Sequence, residues 1–274
     1  MGAVGFLDTF QCDGNHALSS QSFCLTSFIN IIINNDNSGK AQEGAVISVA
    51  YFSSKLVQSR PPKAAIVFEA LKQDIMLGTL PAGANLTELE IAAHFQCSQG
   101  PVREALLQLQ EEGLVLRQGH RGTQVSLCTP DEAVEMFRLR NSIECNGILR
   151  VMARQSKQLT NDLRIMLDTM LQAADEEDEY SLAAIDRDFH RRIFEEADLP
   201  ALNPILHRCL VHNHRFKISQ SRGERDLRGT ALRHCSIIDA IEAGDAVAAQ
   251  SAMGHHIATI VDFGPAVFPD EARP

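Results

Sequence analysis

The sequence predicts a mainly α-helical protein, in which an N-terminal winged helix-turn-helix precedes a C-terminal antiparallel bundle of about six helices. Three observations support this prediction. Apolar residues recur at helical spacing over most of residues 61–262. Capping residues, glycines and prolines divide that stretch into separate helices. The chain has 274 residues, 45% of them hydrophobic, which is enough for two packed domains.

The first segment, residues 1–60, shows neither a helical period nor strand alternation, and it is rich in asparagine, serine and glycine at residues 34–39. We expect it to be mostly disordered. One hypothesis is that the start site is assigned too early and that translation begins near residues 46–51; the alternative is a lineage-specific arm. The mass of the native N-terminus would distinguish the two. Residues 263–274 are expected to form a tail.

The second segment, residues 61–128, begins with two predicted helices. The first, at 64–77, ends at a turn over 78–83 that contains two glycines and a proline. Thr87 and Glu90 have the spacing of a capping box, in which each residue satisfies a free backbone N–H of the other. They predict the start of a short second helix.

The third helix of this segment carries the most informative pattern in the chain. Ser98 is a good N-cap, and Pro101 falls in the first turn, where its missing N–H costs little. Apolar residues form one stripe along the helix, Arg103 points away from that stripe, and Gly113 ends the helix. A wing of two strands, 114–117 and 123–127, follows around the tight turn 118–122.

The third segment, residues 129–262, is helical in pattern almost throughout. It opens with Thr129, Pro130 and Glu132, which combine a capping box with a proline at the first helical position. Short links between the helices favour an antiparallel bundle. The six predicted helices cover 130–153, 160–174 with Thr160 as its cap, 180–196, 200–219, 224–244 and 245–261.

Composition limits the cellular context and the class of partner. Seven scattered cysteines without a Cys-x-x-Cys pair favour a reduced cytoplasm over a disulfide framework. No apolar run reaches the roughly 18 residues of a membrane span, so no membrane partner is expected. The net charge is −10, and even residues 61–128 hold 5 basic against 7 acidic side chains. Because neutralising phosphates dominates affinity for DNA, this balance predicts moderate affinity and a need for a dimer.

Two groups of motifs resemble a known family. LPAGANLTELEIAAHFQCSQGPVREALLQLQEEGLV followed by QGHRGTQV resembles the DNA-binding domain of GntR-family regulators. RNSIE at 140–144, DRDFHRRI at 186–193 and the run at 233–257 resemble the FCD ligand-binding domain of the FadR subfamily. The resemblance implies a homodimer that binds a palindromic operator in double-stranded DNA, and more often a repressor than an activator.

The same resemblance assigns the DNA contacts, with Arg103 as the principal one. Two positions depart from the family, which commonly has arginine where this chain has Leu89 and Gln99. Since arginine reads guanine and glutamine suits adenine, we expect an altered or weaker operator. The predicted DNA-contacting residues are Ser98, Gln99, Gly100, Arg103, Gly119, His120 and Arg121.

Four side chains of the bundle form a candidate metal site. Asp186 and His190 lie at i and i+4, on one helix face. Spacing alone is weak evidence, since a histidine on an amphipathic helix is more often packed or solvated. The resemblance implies that these two residues bind a divalent metal with His234 and His256, most typically Zn²⁺, with Ni²⁺ or Mn²⁺ as alternatives. It places His255 off register and exposed, and it leaves His207, His212 and His214 as surface or pocket-lining residues.

An open position on such an ion suits a small carboxylate effector. Arg140 could bind the carboxylate through two parallel hydrogen bonds, or it could form a structural ion pair with Glu144 at i+4. Asn141 and Arg215 are further candidates for the effector pocket. The expected function is thus a ligand-responsive regulator. A direct metal sensor and a metal-dependent enzyme are the alternatives, since hydrolases also use metals bound by histidine and aspartate.

Overall fold

A computed structural model of the chain describes residues 61–119, 122–154, 156–220 and 225–259. The predictions for residues 1–60 and 263–274 lie outside this part, as does the start-site hypothesis. In chain order the elements are α1 (Lys63–Leu77), β1 (Asn85–Leu86), α2 (Glu88–His94), α3 (Gln99–Glu111), β2 (Val115–Arg117), β3 (Thr123–Val125), α4 (Pro130–Met152), α5 (Lys157–Asp175), α6 (Glu179–Glu195), a 3₁₀ turn (Pro200–Leu202), α7 (Asn203–Gln220), α8 (Leu227–Leu232), α9 (Cys235–Ala243) and α10 (Ala246–Ala258).

The first three helices form as the sequence predicts. The first, α1, ends at Gly78, whose φ of 82° is the left-handed conformation that glycine adopts without strain. Thr87 caps α2 by accepting a hydrogen bond from the backbone N–H of Glu90. Ser98 occupies the N-cap position of α3, but its hydroxyl accepts no capping hydrogen bond, so that detail of the prediction is wrong.

The wing is a three-stranded sheet instead of the predicted hairpin. The central strand, β3, pairs antiparallel with β2 on one side and with the two-residue strand β1 on the other. Leu86 of β1 lies opposite Thr123, and Val115 of β2 lies opposite Val125. Because β1 immediately precedes α2, the sheet fixes the start of that helix relative to the wing.

The bundle contains seven helices among its described residues, where the sequence predicted six. The predicted fifth helix is divided into α8 and α9 by Arg233 and His234. The predicted cap of α5 is also wrong, because Ser156 accepts the capping hydrogen bond and Thr160 lies inside the helix. The capping box of Thr129 and Glu132 at the start of α4 is present as predicted.

Two large hydrophobic cores and one small cluster lie among the described residues. The larger core lies within the bundle, around the fully buried rings of Phe137 and Phe189. The second core packs α1, α2, α3 and the wing, and it also includes Val211 and Ile218 of α7. The helix α7 therefore belongs to both halves of the fold. None of the helices formed by the described residues is both long and apolar enough to cross a bilayer.

Candidate metal centre and nucleic-acid interface

Four buried side chains from three helices meet inside the bundle. Asp186 and His190 come from successive turns of α6, His234 from the break between α8 and α9, and His256 from α10. One ligand atom from each lies within 4.8 Å of the others. We call these four residues the imidazole cluster. Each exposes 2% of its surface or less.

The spacing of the donor atoms fits a single metal ion. The Nε2 atoms of His190 and His256 are 3.2 Å apart. The carboxylate oxygens of Asp186 lie 3.6 Å from His190 Nε2 and 3.5 Å from His234 Nε2. Zinc–nitrogen bonds are about 2.0–2.1 Å long, so atoms that share one ion lie roughly 3 to 3.5 Å apart. His234 Nε2 is buried without a hydrogen-bond partner among the described residues, as a free ligand atom would be.

The outer nitrogens of two of these histidines are held by acceptors. His190 Nδ1 donates to Glu144 Oε2 at 2.5 Å, and His234 Nδ1 donates to the carbonyl of Ala231 at 3.0 Å. Both contacts engage Nδ1, so Nε2 is the ring nitrogen directed at the cluster. Partners of this kind are typical of histidines that bind metals, since they fix the tautomer and the ring orientation.

Burial keeps the cluster in the protonation state that a metal requires. It lowers the pKa of His234 to about 4 and that of His256 well below its usual range, so both rings are neutral at pH 7. Burial alone would raise the pKa of Asp186, but the facing His214, His234 and His190 lower it well below its usual value. A carboxylate with neutral imidazoles is a competent donor set for a divalent ion.

Arg140 extends the cluster toward a possible ligand. Its Nε donates to Glu144 Oε1 at 2.5 Å, so the structural ion pair considered from the sequence is present. Burial alone would raise the pKa of Glu144, but Arg140 and His190 lower it to about 2, and it stays ionised. Nη1 and Nη2 of Arg140 are buried and have no hydrogen-bond partner among the described residues. The ion pair therefore leaves two donors of the guanidinium available.

One residue beside the cluster was not identified as its neighbour from the sequence. His214 of α7 is buried, and its Nε2 lies 3.0 Å from Asp186 Oδ1; the sequence had placed it on the surface or in a pocket wall. Asn213 is fully buried, and neither atom of its amide has a partner among the described residues. The packing of α7 against α6 brings His214 to Asp186, and no local sequence motif indicates that packing.

The other predicted effector residues lie elsewhere. Asn141 is half-buried and accepts a hydrogen bond from Cys145 Sγ at 3.2 Å. Arg215 donates to the hydroxyl and the carbonyl of Ser126, in the link between the wing and α4. Its guanidinium is thus bonded at the link between the wing and α4, and its place in an effector pocket stays a prediction. His255 is exposed, as predicted.

The predicted DNA-contacting residues lie on an exposed surface of the winged half. Ser98, Gln99, Gly100 and Arg103, at the start of α3, are all exposed, as is Gly119 of the wing turn. His120 and Arg121 lie outside the described residues. The sequence did not anticipate that Arg103 and Arg117 both form ion pairs with Glu88 of α2.

Comparisons with known proteins decide the family. Residues 63–125 match the model described as bacterial regulatory proteins, gntR family, and residues 135–259 match the FCD domain. A probable D-xylose utilization operon transcriptional repressor from Paenarthrobacter nicotinovorans is 31% identical over 201 residues, covering 73% of this chain and 88% of that protein. The chain belongs to the GntR family.

More distant similarities agree with this assignment. The transcriptional repressor RspR of Escherichia coli K12 is 23% identical, over 71% of this GntR-family chain and 85% of that protein. Among solved structures, E. coli McbR/YncC has a TM-score of 0.60 and 20% identity, covering 72% of this chain and 94% of that one. A GntR regulator from Rhodococcus sp. RHA1 also has a TM-score of 0.60, with 23% identity and coverages of 74% and 99%. The protein is a DNA-binding transcription regulator with a ligand-binding FCD domain, and not an enzyme.

Proposed function

We propose that this regulator is a homodimeric repressor whose DNA binding is controlled by a small carboxylate bound at a metal in the bundle. The observation that carries the proposal is the pairing of the imidazole cluster with the two unpartnered donors of Arg140. Asp186, His190, His234 and His256 would hold the ion. The donor set of three imidazoles and one carboxylate favours Zn²⁺, with Ni²⁺ or Mn²⁺ as alternatives.

Arg140 supports an acidic effector. A planar guanidinium with two free N–H groups matches the two oxygens of a carboxylate, and charge-assisted hydrogen bonds of this kind are strong in a dry site. Glu144 holds Arg140 by its Nε and His190 by its Nδ1, so one carboxylate orients both the anchor and a metal ligand. A carboxylate that bound the ion and Arg140 together would satisfy groups that are otherwise buried without partners.

The helix α7 provides a route from this site to the DNA-binding half. His214 lies beside Asp186, while His212 Nε2 donates to the carbonyl of Glu112, just past the end of α3, at 3.2 Å. His207, one turn earlier, is 3.1 Å from a carboxylate oxygen of Glu112. We propose that a ligand shifts the population between two positions of α7, and with it the placement of α3.

DNA binding is proposed to use the start of α3 and the wing turn of each protomer on one half of a palindromic operator. The residues are Ser98, Gln99, Gly100, Arg103, Gly119, His120 and Arg121. The proposed boundary between the DNA-binding domain and the helical bundle lies between residues 128 and 129. The acidic charge of the winged half makes a single copy a weak binder, which favours a dimer.

The test is operator affinity of the zinc-loaded protein, measured by mobility shift on duplexes selected from a random pool. We expect sugar acids, hydroxy acids or dicarboxylates to lower the affinity, and Arg140→Lys to remove that response. Lysine keeps a positive charge beside Glu144 but lacks the planar guanidinium with its paired donors. The melting temperature of the zinc-loaded Arg140→Lys variant shows whether that variant is still folded. If zinc alone changes operator affinity tenfold or more and no acid does, the protein is a direct metal sensor and the proposal fails.

A further inference from the structure

Glu88 is the first residue of α2. It lies between Arg103, one of the proposed DNA contacts, and Arg117 of the wing. Arg103 Nε is 3.2 and 3.1 Å from the two oxygens of Glu88, and Arg103 Nη2 is 2.7 Å from Oε2. Arg117 Nη2 donates to Glu88 Oε1 at 3.2 Å. The carboxylate thus binds one edge of the guanidinium of Arg103, and it connects α3 to strand β2 of the wing.

The contact decides which edge of Arg103 is available. With Nε and one side of Nη2 engaged, Nη1 and the other side of Nη2 form the remaining pair of donors. Two parallel donors of that kind match O6 and N7 of guanine in the major groove. The side chain of Arg103 is 55% exposed and that of Glu88 only 23%, so the arginine lies outside the carboxylate and can reach a partner.

The negative charge of Glu88 also favours a role in orienting Arg103. A carboxylate beside a DNA surface repels phosphates, so it lowers affinity for DNA of any sequence. Arg103 lowers the pKa of Glu88 through its hydrogen bonds, so the carboxylate stays ionised at pH 7. A negative charge at this place has no benefit for non-specific attraction. It is useful if it restricts a long, flexible side chain to one orientation.

We propose that Glu88 is a positioning residue for operator recognition: it orients Arg103 so that the free edge of the guanidinium reads a guanine in each half-site. The inference rests on the proposed role of Arg103 in DNA contact. In this proposal the pair Glu88–Arg103 discriminates between bases, while the charge of Glu88 lowers the attraction to phosphates.

The experiment compares four variants of the full chain with the wild type on a selected operator, on single-base variants of it and on random duplex DNA. Glu88→Gln removes the charge and weakens the hold on Arg103. Glu88→Asp keeps the charge but withdraws the carboxylate by one methylene. Glu104→Gln is the matched control, because Glu104 is exposed, lies next to Arg103 in sequence and forms no ion pair among the described residues. Arg103→Ala identifies the base pair that depends on Arg103.

We expect Glu88→Gln to reduce the preference for guanine at that base pair by about tenfold, while it raises affinity for random DNA. Glu88→Asp should lose the preference without that rise, and Glu104→Gln should retain the preference. Melting temperatures show that each variant is folded. The positioning role is overturned if Glu88→Gln keeps the wild-type preference, or if it tightens operator and random DNA equally. If Arg103→Ala changes discrimination at no base pair, the proposed role of Arg103 itself fails.

Discussion

Zinc added after dialysis against a chelator should raise the melting temperature of the protein, and Asp186→Asn should abolish that rise. Nε2 of His234 is buried without a hydrogen-bond partner among the described residues, and an ion would satisfy it. Free zinc at a hundred times its dissociation constant adds about 2.7 kcal/mol to the free energy of unfolding. For a folded part of this size, each kcal/mol raises the melting temperature by about 2–4 °C, so we expect about 5–11 °C.

The assay is differential scanning calorimetry during a zinc titration at pH 7, after dialysis against a chelator. The matched control is His255→Ala, which removes the exposed imidazole next to His256 in sequence and should leave the rise intact. An equal rise in Asp186→Asn and in the wild type would refute the assignment, because the ion would then bind elsewhere. Loss of the rise in His255→Ala alone would refute it as well.

Three further predictions test pH dependence, packing and operator choice. Burial lowers the pKa of His212 from 6.5 to about 4. As the pH falls, the unfolded chain therefore protonates this imidazole before the folded protein does. Stability is then lost as the pH falls from 6.5 toward 4, by up to about 3 kcal/mol, and His212→Asn should flatten the dependence of the urea midpoint on pH. Gly147→Ala would place a methyl 2.7 Å from the ring of Phe194, so urea unfolding should show a loss of about 1–3 kcal/mol, whereas Asn146→Ala on the exposed face should show little. Gln99→Arg should tighten binding to a family-type palindrome and steepen its salt dependence; no gain in a mobility-shift titration would contradict this.

The fold could be predicted from sequence because its signals are local. The capping box at Thr129, the left-handed glycine at 78 and the apolar stripe of α3 each act within a few residues. Where two local signals competed, nothing in the local pattern distinguished them. Ser156 and Thr160 are both plausible caps one turn apart, and burial of Leu159 favours the earlier one.

The site was predictable only as far as the family motif extends. The four members of the imidazole cluster were named from the resemblance, and the structure brings them together. The contact of His214 with Asp186 could not be predicted, because it depends on how α7 packs against α6. Adjacent residues on a helix point about 100° apart, so the guanidinium of Arg215 reaches Ser126 while His214 faces Asp186.

The contacts of α7 have a thermodynamic consequence. The helix α7 contacts both Asp186 and Glu112 at the end of α3. The control proposed above would therefore make occupancy of the cluster and occupancy of the operator coupled equilibria. Such coupling is reciprocal: whatever factor a ligand imposes on operator affinity, the operator must impose on the affinity for that ligand. Titration of zinc with and without a duplex would therefore measure the regulatory free energy before any effector is identified, and a duplex that leaves zinc affinity unchanged would show that α7 carries no signal from the ion.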